Sequence, residues 1–248
     1  MKIIIPSRYD STRLPGKPLA DIAGKPMIVH VLEQARKVAG ADNVWVACDD
    51  DRIESAVIQA GGQAVKTSPS HQSGTDRIAE AAAKIGLEDD EIIINIQGDE
   101  PLIPLELVQK TYDLFSENPL AQMTTIVVPI ASPKDVANPN VVKAVLDDQN
   151  RALYFSRAPI PFDRDTEVSE QGESPYLRHV GIYGYRHSSL KVLTKAPVNS
   201  LEALEKLEQL RALGLGMTIQ VGIYADPIPH GVDTPEDLKT VQALMEAV

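Results

Sequence analysis

Residues 91–101, EIIINIQGDEP, place four isoleucines within six positions. A half-exposed strand alternates apolar and polar residues, and this run does not. Both of its faces must be covered, as at the centre of a parallel sheet. The strand runs straight into Gln97-Gly98-Asp99-Glu100-Pro101. Ligands in open α/β sheets lie beyond the carboxyl ends of the strands, so Asp99 becomes a candidate functional carboxylate. The plainer use of an aspartate here is to close a turn.

Outward from this strand, strand and helix alternate. Towards the N-terminus, 2–5, 43–47 and 64–67 read as strands. Residues 27–39, 51–60 and 75–85 read as helices, the first with Ile28, Val31, Leu32, Ala35 and Val38 on one face. Towards the C-terminus come a helix over 104–116 and a strand over 123–128. This order predicts a three-layer α/β fold with a doubly wound, mostly parallel sheet of Rossmann type. The rhythm then changes. Residues 141–146, 152–155 and 180–185 read as strands with tighter connections, around a proline- and charge-rich stretch at 159–175 expected to be a mobile loop or interface arm. A single helix is expected over 200–213, striped by Leu201, Leu204, Leu207 and Leu210, and a last strand over 218–223. Thr234-Pro235 opens the final helix, with Thr as N-cap and Pro at the first helical position. The expected organisation is one domain over 1–248, in which 130–200 forms a smaller substrate-binding and dimerisation region.

The first strand carries the second informative stretch, IIIPSRYDSTRLPGKP at 3–18. Pro6 is expected to stop the strand. The following loop holds Arg8, Arg13, Gly16 and Lys17. Arginine offers planar multi-donor contacts, lysine a compact charge, and glycine close backbone approach, a set suited to a polyphosphate. The spacing fits neither the G-x-x-x-x-G-K-[ST] phosphate loop nor the G-x-G-x-x-G turn. A basic loop is often only solvated surface, yet the chain carries 24 Lys+Arg against 35 Asp+Glu, a net charge of −11. Cations concentrated on an acidic protein favour an anion site.

That acidic balance argues against coating a nucleic acid, whose phosphates demand a basic face. Cys48 is the single cysteine, which precludes an intrachain disulfide and suits a reducing compartment. Acids at 49–51 should raise its thiol pKa rather than activate it. The first apolar run is too short for a signal peptide, and none is long enough to cross a membrane. A soluble cytoplasmic protein is expected.

Asp233, in Gly-Val-Asp-Thr-Pro, also sits at a strand-to-helix junction and pairs naturally with Asp99. Mg²⁺ takes one or two carboxylates together with waters and substrate phosphates. The alternative is that Asp233 only supports the helix cap. Ser73, opening Ser-Gly-Thr-Asp-Arg, could meet a base or ribose, or serve as a plain N-cap. Arg157 follows a strand and could hold an acidic group. Glu208 and Gln209 could point into the same cavity or flank it in solvent. His179 lacks the partners of a catalytic histidine. No nucleophile constellation or zinc cluster is present in the sequence.

Together, IIIPSRYDSTRLPGKPLADIAGKPMI, HQSGTDR, NIQGDEP, ALYFSRAPIPFDRD, LRHVGIYGYR, LEKLEQLRAL and GVDTPEDL resemble the 3-deoxy-D-manno-octulosonate (Kdo) cytidylyltransferases. The resemblance runs in family order from Ile3 to Leu238. It implies a nucleotide-diphospho-sugar transferase-like fold and the reaction CTP + Kdo → CMP-Kdo + pyrophosphate with Mg²⁺. It also implies a cytoplasmic homodimer serving lipopolysaccharide synthesis. On this resemblance Arg8, Arg13 and Lys17 hold the triphosphate, and Ser73 and Gln97 lie by the cytidine or the sugar junction. Asp99 and Asp233 bind Mg²⁺, while Arg157, His179, Tyr183, Glu208 and Gln209 line the Kdo pocket. One departure is Ala-Cys-Asp at 47–49, where Ala-Thr-Asp is expected. Rival readings are a cytidylyltransferase for 8-amino-Kdo or a sialic acid, another sugar nucleotidylyltransferase, and a non-catalytic nucleotide sensor.

Overall fold

The computed structural model describes residues 1–11, 14–71, 73–164, 175–226, 228–229 and 231–246. Arg13 and most of the 159–175 stretch lie outside these residues. The chain divides into two compact units. One comprises Met1–Gln109, Arg186–Leu190 and Ile228–Val248; the other comprises Lys110–Tyr185 and Lys191–Pro227.

The first unit contains β1 (Lys2–Ser7), the short ribbon β2 (Asp21–Ile22) and β3 (Lys25–Pro26), β4 (Val44–Cys48), β5 (Gln63–Lys66) and β6 (Ile92–Asn95). β1 pairs in parallel with β4 on one side and β6 on the other, and β5 pairs in parallel with β4. The chain therefore winds outward from β1 through β4 to β5, then returns to lay β6 on the opposite side of β1. The winding direction reverses at β1, so the crevice at the carboxyl ends of β1 and β6 is this unit's topological switch point. Ile3, Ile4, Ile5, Ile93 and Ile94 have no exposed surface, as expected of central parallel strands.

Pro6 does not stop the strand. β1 continues to Ser7, in register with Cys48 of β4. β6 pairs no further than Ile4. Beyond that point β1 has one partner strand in this unit, and a residue without an N–H is tolerated there.

Helix Met27–Ala39 packs on β1 and β4, with Ile28, Val31, Leu32 and Ala35 fully buried. Helix Gly74–Ile85 packs on β1. Its N-cap is Ser73, whose Oγ accepts the Asp76 N–H at 3.1 Å, and Gly86 ends it in the left-handed conformation. Local capping chemistry explains both ends.

The second unit contains β7 (Met123–Pro129), β8 (Lys143–Leu146), β9 (Ala152–Ser156), β10 (Leu177–Arg186) and β11 (Ile219–Ile223). β7 lies between parallel β11 and antiparallel β10; β8 pairs antiparallel with both β10 and β9. Residues 130–185 and 191–200 of the expected substrate region belong here, and 186–190 belong to the first unit.

The single helix expected over 200–213 is two short ones, Ser200–Glu205 and Gln209–Gly214. Between them Lys206 is left-handed, with φ 55° and ψ 45°. The cause is a buried bidentate pair: Arg211 Nε donates to Glu202 Oε2 at 2.7 Å and Nη2 donates to Oε1 at 2.5 Å. Nine residues of straight helix would separate these groups by about 13 Å along the axis. The Asn199 side chain fixes the bend, accepting from the Glu202 N–H at 2.8 Å and donating to the Leu210 carbonyl at 3.1 Å. The leucine stripe is thereby split: Leu204 is 80% exposed whereas Leu210 is fully buried.

Candidate functional site

Three loops of the first unit deliver one cluster. After β1 the chain turns at Gly16, whose φ of 67° is left-handed and whose added Cβ would lie 3.1 Å from the Tyr9 hydroxyl. Glycine suits both constraints. The turn starts a short 3-10 helix, Lys17–Leu19. After β6, Gly98 brings the chain against β1, so close that a Cβ would sit 2.8 Å from the Pro6 carbonyl oxygen. Asp99 follows. The third loop reaches Asp99 through its backbone: the Val232 N–H donates to the Asp99 carbonyl at 2.8 Å. Gly231 permits this approach, since its Cβ would lie 3.2 Å from the same oxygen.

An apolar cluster ties the loops together. Ile22, Met27, Val232 and Val241 form its buried core, with Leu14, Leu102 and Leu238 packed against it. Leu14 precedes Lys17, Leu102 follows Asp99, and Val232 adjoins Asp233. Each such side chain contributes roughly 1.5–3 kcal/mol when fully buried, enough to hold polar groups in register.

The polar outcome is a lysine between two aspartates. Lys17 Nζ donates to Asp99 Oδ2 at 2.5 Å and to Asp233 Oδ1 at 2.9 Å. The Lys17 side chain is only 13% exposed. The Asp233 carboxylate is spared for this contact because another residue caps the last helix: Asp237 Oδ2 accepts the N–H groups of Asp233 and Thr234, and Thr234 Oγ1 accepts the Asp237 N–H. This reciprocal capping box answers the alternative that Asp233 serves the cap. Two carboxylates thus converge on one ammonium. All-oxygen ligands from two loops, within reach of a single point, suit a hard divalent cation that takes the rest of its shell from water and phosphate. Among the described residues there is no group of three His, Cys, Asp or Glu that could hold a metal. A pair of carboxylates is an all-oxygen donor set of the kind that Mg²⁺ takes.

Gly98→Ala tests this packing. The clash is with a backbone oxygen that cannot rotate away, so the Gly98–Asp99 turn must move. The expected result is a loss of about 1–3 kcal/mol in urea unfolding and a larger fractional loss of activity. Wild-type stability and activity would show that the close approach is unnecessary.

Arg8 lies exposed on the loop after β1, and Arg13 is outside the described residues. Ser73 is engaged as the N-cap, its hydroxyl also donating to Asp76 Oδ2 at 2.9 Å. It stays close to β1, because a Cβ on Gly74 would lie 3.4 Å from Pro6 Cγ. Gln97 is half-buried, just past the end of β6 and after Ile96. Ser7, at the end of β1, is 4% exposed and its Oγ is buried without a hydrogen-bond partner among the described residues. Behind this end of the sheet, Arg77 donates to Asp49 Oδ2 at 2.8 Å and to Thr67 Oγ1 at 2.6 Å. Burial, followed by the charge of Glu54, pushes the Cys48 thiol up to about 11, so Cys48 is an inert packing residue.

The second unit gathers the remaining sequence candidates. A bulge in β10 between Val180 and Tyr183 interrupts the pairing with β7. It lets Thr125 Oγ1 meet His179 Nε2 at 3.0 Å and the Ile182 carbonyl at 2.7 Å. A hydroxyl has one proton, and the shorter contact to a pure acceptor takes it. His179 then donates through Nε2 and keeps a lone pair on Nδ1. Burial, helped by the charge of Arg178, pulls the His179 pKa down to about 3, so the ring is neutral near pH 7. Its ring lies 5.0 Å from Phe155 and 5.2 Å from Tyr183. Burial also raises the Tyr183 phenol pKa well above its ordinary value. Gln209, 3% exposed, has its Nε2 without a partner among the described residues, a buried donor that calls for an acceptor. Glu208 immediately precedes it, at the N-terminus of helix Gln209–Gly214. Arg157 donates through Nε to the Glu205 carbonyl at 2.7 Å and through Nη1 to the Pro139 carbonyl at 2.9 Å.

Sequence reading missed Thr125, Lys143, Glu205 and Asp237. Only Lys143 carried a signal, as a lysine inside the apolar run VVKAVL.

Residues 2–219 match the family model described as cytidylyltransferase. The chain belongs to the cytidylyltransferase family. A relative from Aliivibrio fischeri (strain MJ11), named 3-deoxy-manno-octulosonate cytidylyltransferase, is 51% identical over 247 residues, 98% of each chain. One of the same name from Vibrio parahaemolyticus serotype O3:K6 is 47% identical over 245 residues, covering 98% of this chain and 97% of its own. A solved structure of CMP:2-keto-3-deoxy-manno-octonic acid synthetase complexed with CTP is 46% identical. It covers 99% of this chain and 98% of its own, with a TM-score of 0.91. The fold is accordingly the mostly parallel, nucleotidyltransferase-like α/β fold expected from the sequence, and the chain is a nucleotidyltransferase. Among the described residues no helix is long and apolar enough to cross a membrane.

Proposed function

We propose that the chain transfers CMP from CTP to Kdo, releasing pyrophosphate, as a cytoplasmic homodimer that supplies lipopolysaccharide synthesis. The observation that carries this reading is the Lys17–Asp99–Asp233 cluster at the β1/β6 switch point, on a chain 51% identical end to end to a Kdo cytidylyltransferase.

In this reading Arg8, Arg13 and Lys17 bind the triphosphate and neutralise charge on the departing pyrophosphate. Ser73 and Gln97 lie by the cytidine. Asp99 and Asp233 hold Mg²⁺, which when bound polarises phosphate oxygens and lowers the pKa of an attacking hydroxyl. Arg157 pairs with the sugar acid. The neutral His179, with Tyr183, Glu208 and Gln209, hydrogen-bonds the sugar hydroxyls. The anomeric hydroxyl attacks the α-phosphorus in line, and positioning with charge neutralisation supplies most of the rate. With a pKa near 3, His179 orients the sugar and does not act as a general base at neutral pH.

The test is pyrophosphate release with each of four nucleoside triphosphates against Kdo, 8-amino-Kdo and a sialic acid. Release with CTP and Kdo well above every other pair is expected. Preference for another acidic sugar would reassign the acceptor, and no release with any pair would favour a nucleotide sensor.

A further inference from the structure

Lys143 is a fully buried lysine whose ammonium is spent on main-chain carbonyls. It donates to the carbonyls of Asn138 at 3.1 Å, Val141 at 2.6 Å and Arg157 at 2.6 Å. Three N–H donors thus meet three acceptors. Glu205 works from the other side. Its carboxylate accepts from the Ser156 hydroxyl at 2.6 Å and the Arg157 backbone N–H at 2.9 Å, and its own carbonyl accepts from Arg157 Nε at 2.7 Å. Arg157 is therefore held at four atoms: its N–H, its carbonyl, Nε and Nη1.

Filling space does not explain this arrangement. Burying an ammonium costs several kcal/mol before its hydrogen bonds offset it, and an apolar side chain of similar volume would fill the position without that penalty. What an apolar chain cannot do is draw three carbonyls from two segments, around 138–143 and at the end of β9, onto one point. One of those carbonyls belongs to the residue read as the partner of the sugar acid.

We propose that Lys143 and Glu205 are positioning residues for Arg157, fixing the direction of its guanidinium and so the recognition of the acidic acceptor. This inference rests on the assignment of Arg157 to the sugar acid, and the test separates the two.

The experiment is steady-state kinetics on Arg157→Ala, Lys143→Met, Glu205→Gln and the Lys143→Met/Arg157→Ala double variant, with circular dichroism to verify folding. Lys143→Met removes the charge at similar volume. Glu205→Gln keeps the shape but removes the charge and one of the two acceptors, so the Ser156 hydroxyl must accept where it now donates. A displacement on the order of 1 Å can cost about a hundredfold. Lys143→Met and Glu205→Gln are each expected to raise the Kdo KM at least about tenfold, with the CTP KM within about twofold of wild type. The double variant should be no worse than Arg157→Ala, because residues acting through one group are not additive. A general loss of packing would instead disturb both KM values or kcat. If Lys143→Met fails to fold, Glu205→Gln decides alone. An unchanged Kdo KM in a folded variant, or full additivity in the double, overturns the proposal while Arg157→Ala still raises the Kdo KM. An unchanged Kdo KM in Arg157→Ala itself overturns the underlying assignment.

Discussion

Asp99→Asn and Asp233→Asn are each expected to lower turnover by at least about 10²–10³-fold with little change in melting temperature. The two halves of this expectation come from different atoms. Asp99 contributes to the fold through its main-chain carbonyl, which receives the Val232 N–H, and an amide side chain leaves that bond in place. The Asp233 N–H is held by Asp237, a bond that an amide side chain at 233 also leaves in place. What each substitution removes is half of the negative charge facing Lys17. A partly exposed ion pair of this kind contributes no more than about 1 kcal/mol to stability. Catalysis depends on the same charge much more steeply, because two carboxylates must outcompete water for a small, strongly hydrated cation. The measurements are kcat at saturating CTP and Kdo across an Mg²⁺ titration, alongside thermal melting. Near wild-type turnover in either variant removes that carboxylate from the metal site. A large drop in melting temperature would instead make it a structural residue.

The legible parts of this fold are those set by neighbours in sequence. The isoleucine run at 92–96, the Ser73 cap and the Thr234-Pro235 helix start each depend on a few adjacent residues, and each appears where the sequence places it. What escaped depends on distant partners. Pro6 stays in β1 because β4 continues beside it after β6 has stopped pairing. The leucine-striped segment bends at Lys206 because Glu202 must reach Arg211, and helical periodicity carries no trace of that bond. The bulge in β10 arises from its pairing with β7, and Thr125 is 54 positions from His179. The convergence of Lys17, Asp99 and Asp233 was legible even though the aspartates lie 82 and 216 positions from the lysine. Lys17 and Asp99 follow the rule that strand carboxyl ends gather at the switch point, and Asp233 joins them from the loop before the last helix, tied by the Val232–Asp99 backbone bond. The ion pairing among them was not legible, because reading one residue as a phosphate ligand and two as metal ligands leaves out what they do to each other.

That pairing leads to an expected result with two opposite signs. Lys17→Met should lower turnover by about 10²–10³-fold, by removing a cation from the departing pyrophosphate. It should also tighten divalent-cation binding to the nucleotide-free protein. An ammonium 2.5 Å and 2.9 Å from the two carboxylates occupies the oxygens that a metal would take, so a cation must first displace it. CTP changes the balance by offering the ammonium a triphosphate partner, and nucleotide and metal should therefore bind with positive coupling. With methionine at position 17 the two carboxylates lose the ammonium they share. The variant should melt at a lower temperature without metal, and added metal should restore part of the loss through its binding to the native state. Mn²⁺ titration followed by electron paramagnetic resonance, without nucleotide, reads the effect directly. The expected gain is about tenfold in affinity, worth roughly 1.4 kcal/mol, and adding Asp99→Asn in the same chain should cancel it. With CTP present, the order should reverse, and wild type should hold the metal more tightly than the variant. Equal Mn²⁺ affinity in wild type and Lys17→Met without nucleotide would mean that the lysine and the metal do not compete for the same oxygens. The ion pair would then be only a structural tie between the loops, and the coupling between CTP and metal would have to come from the phosphates alone.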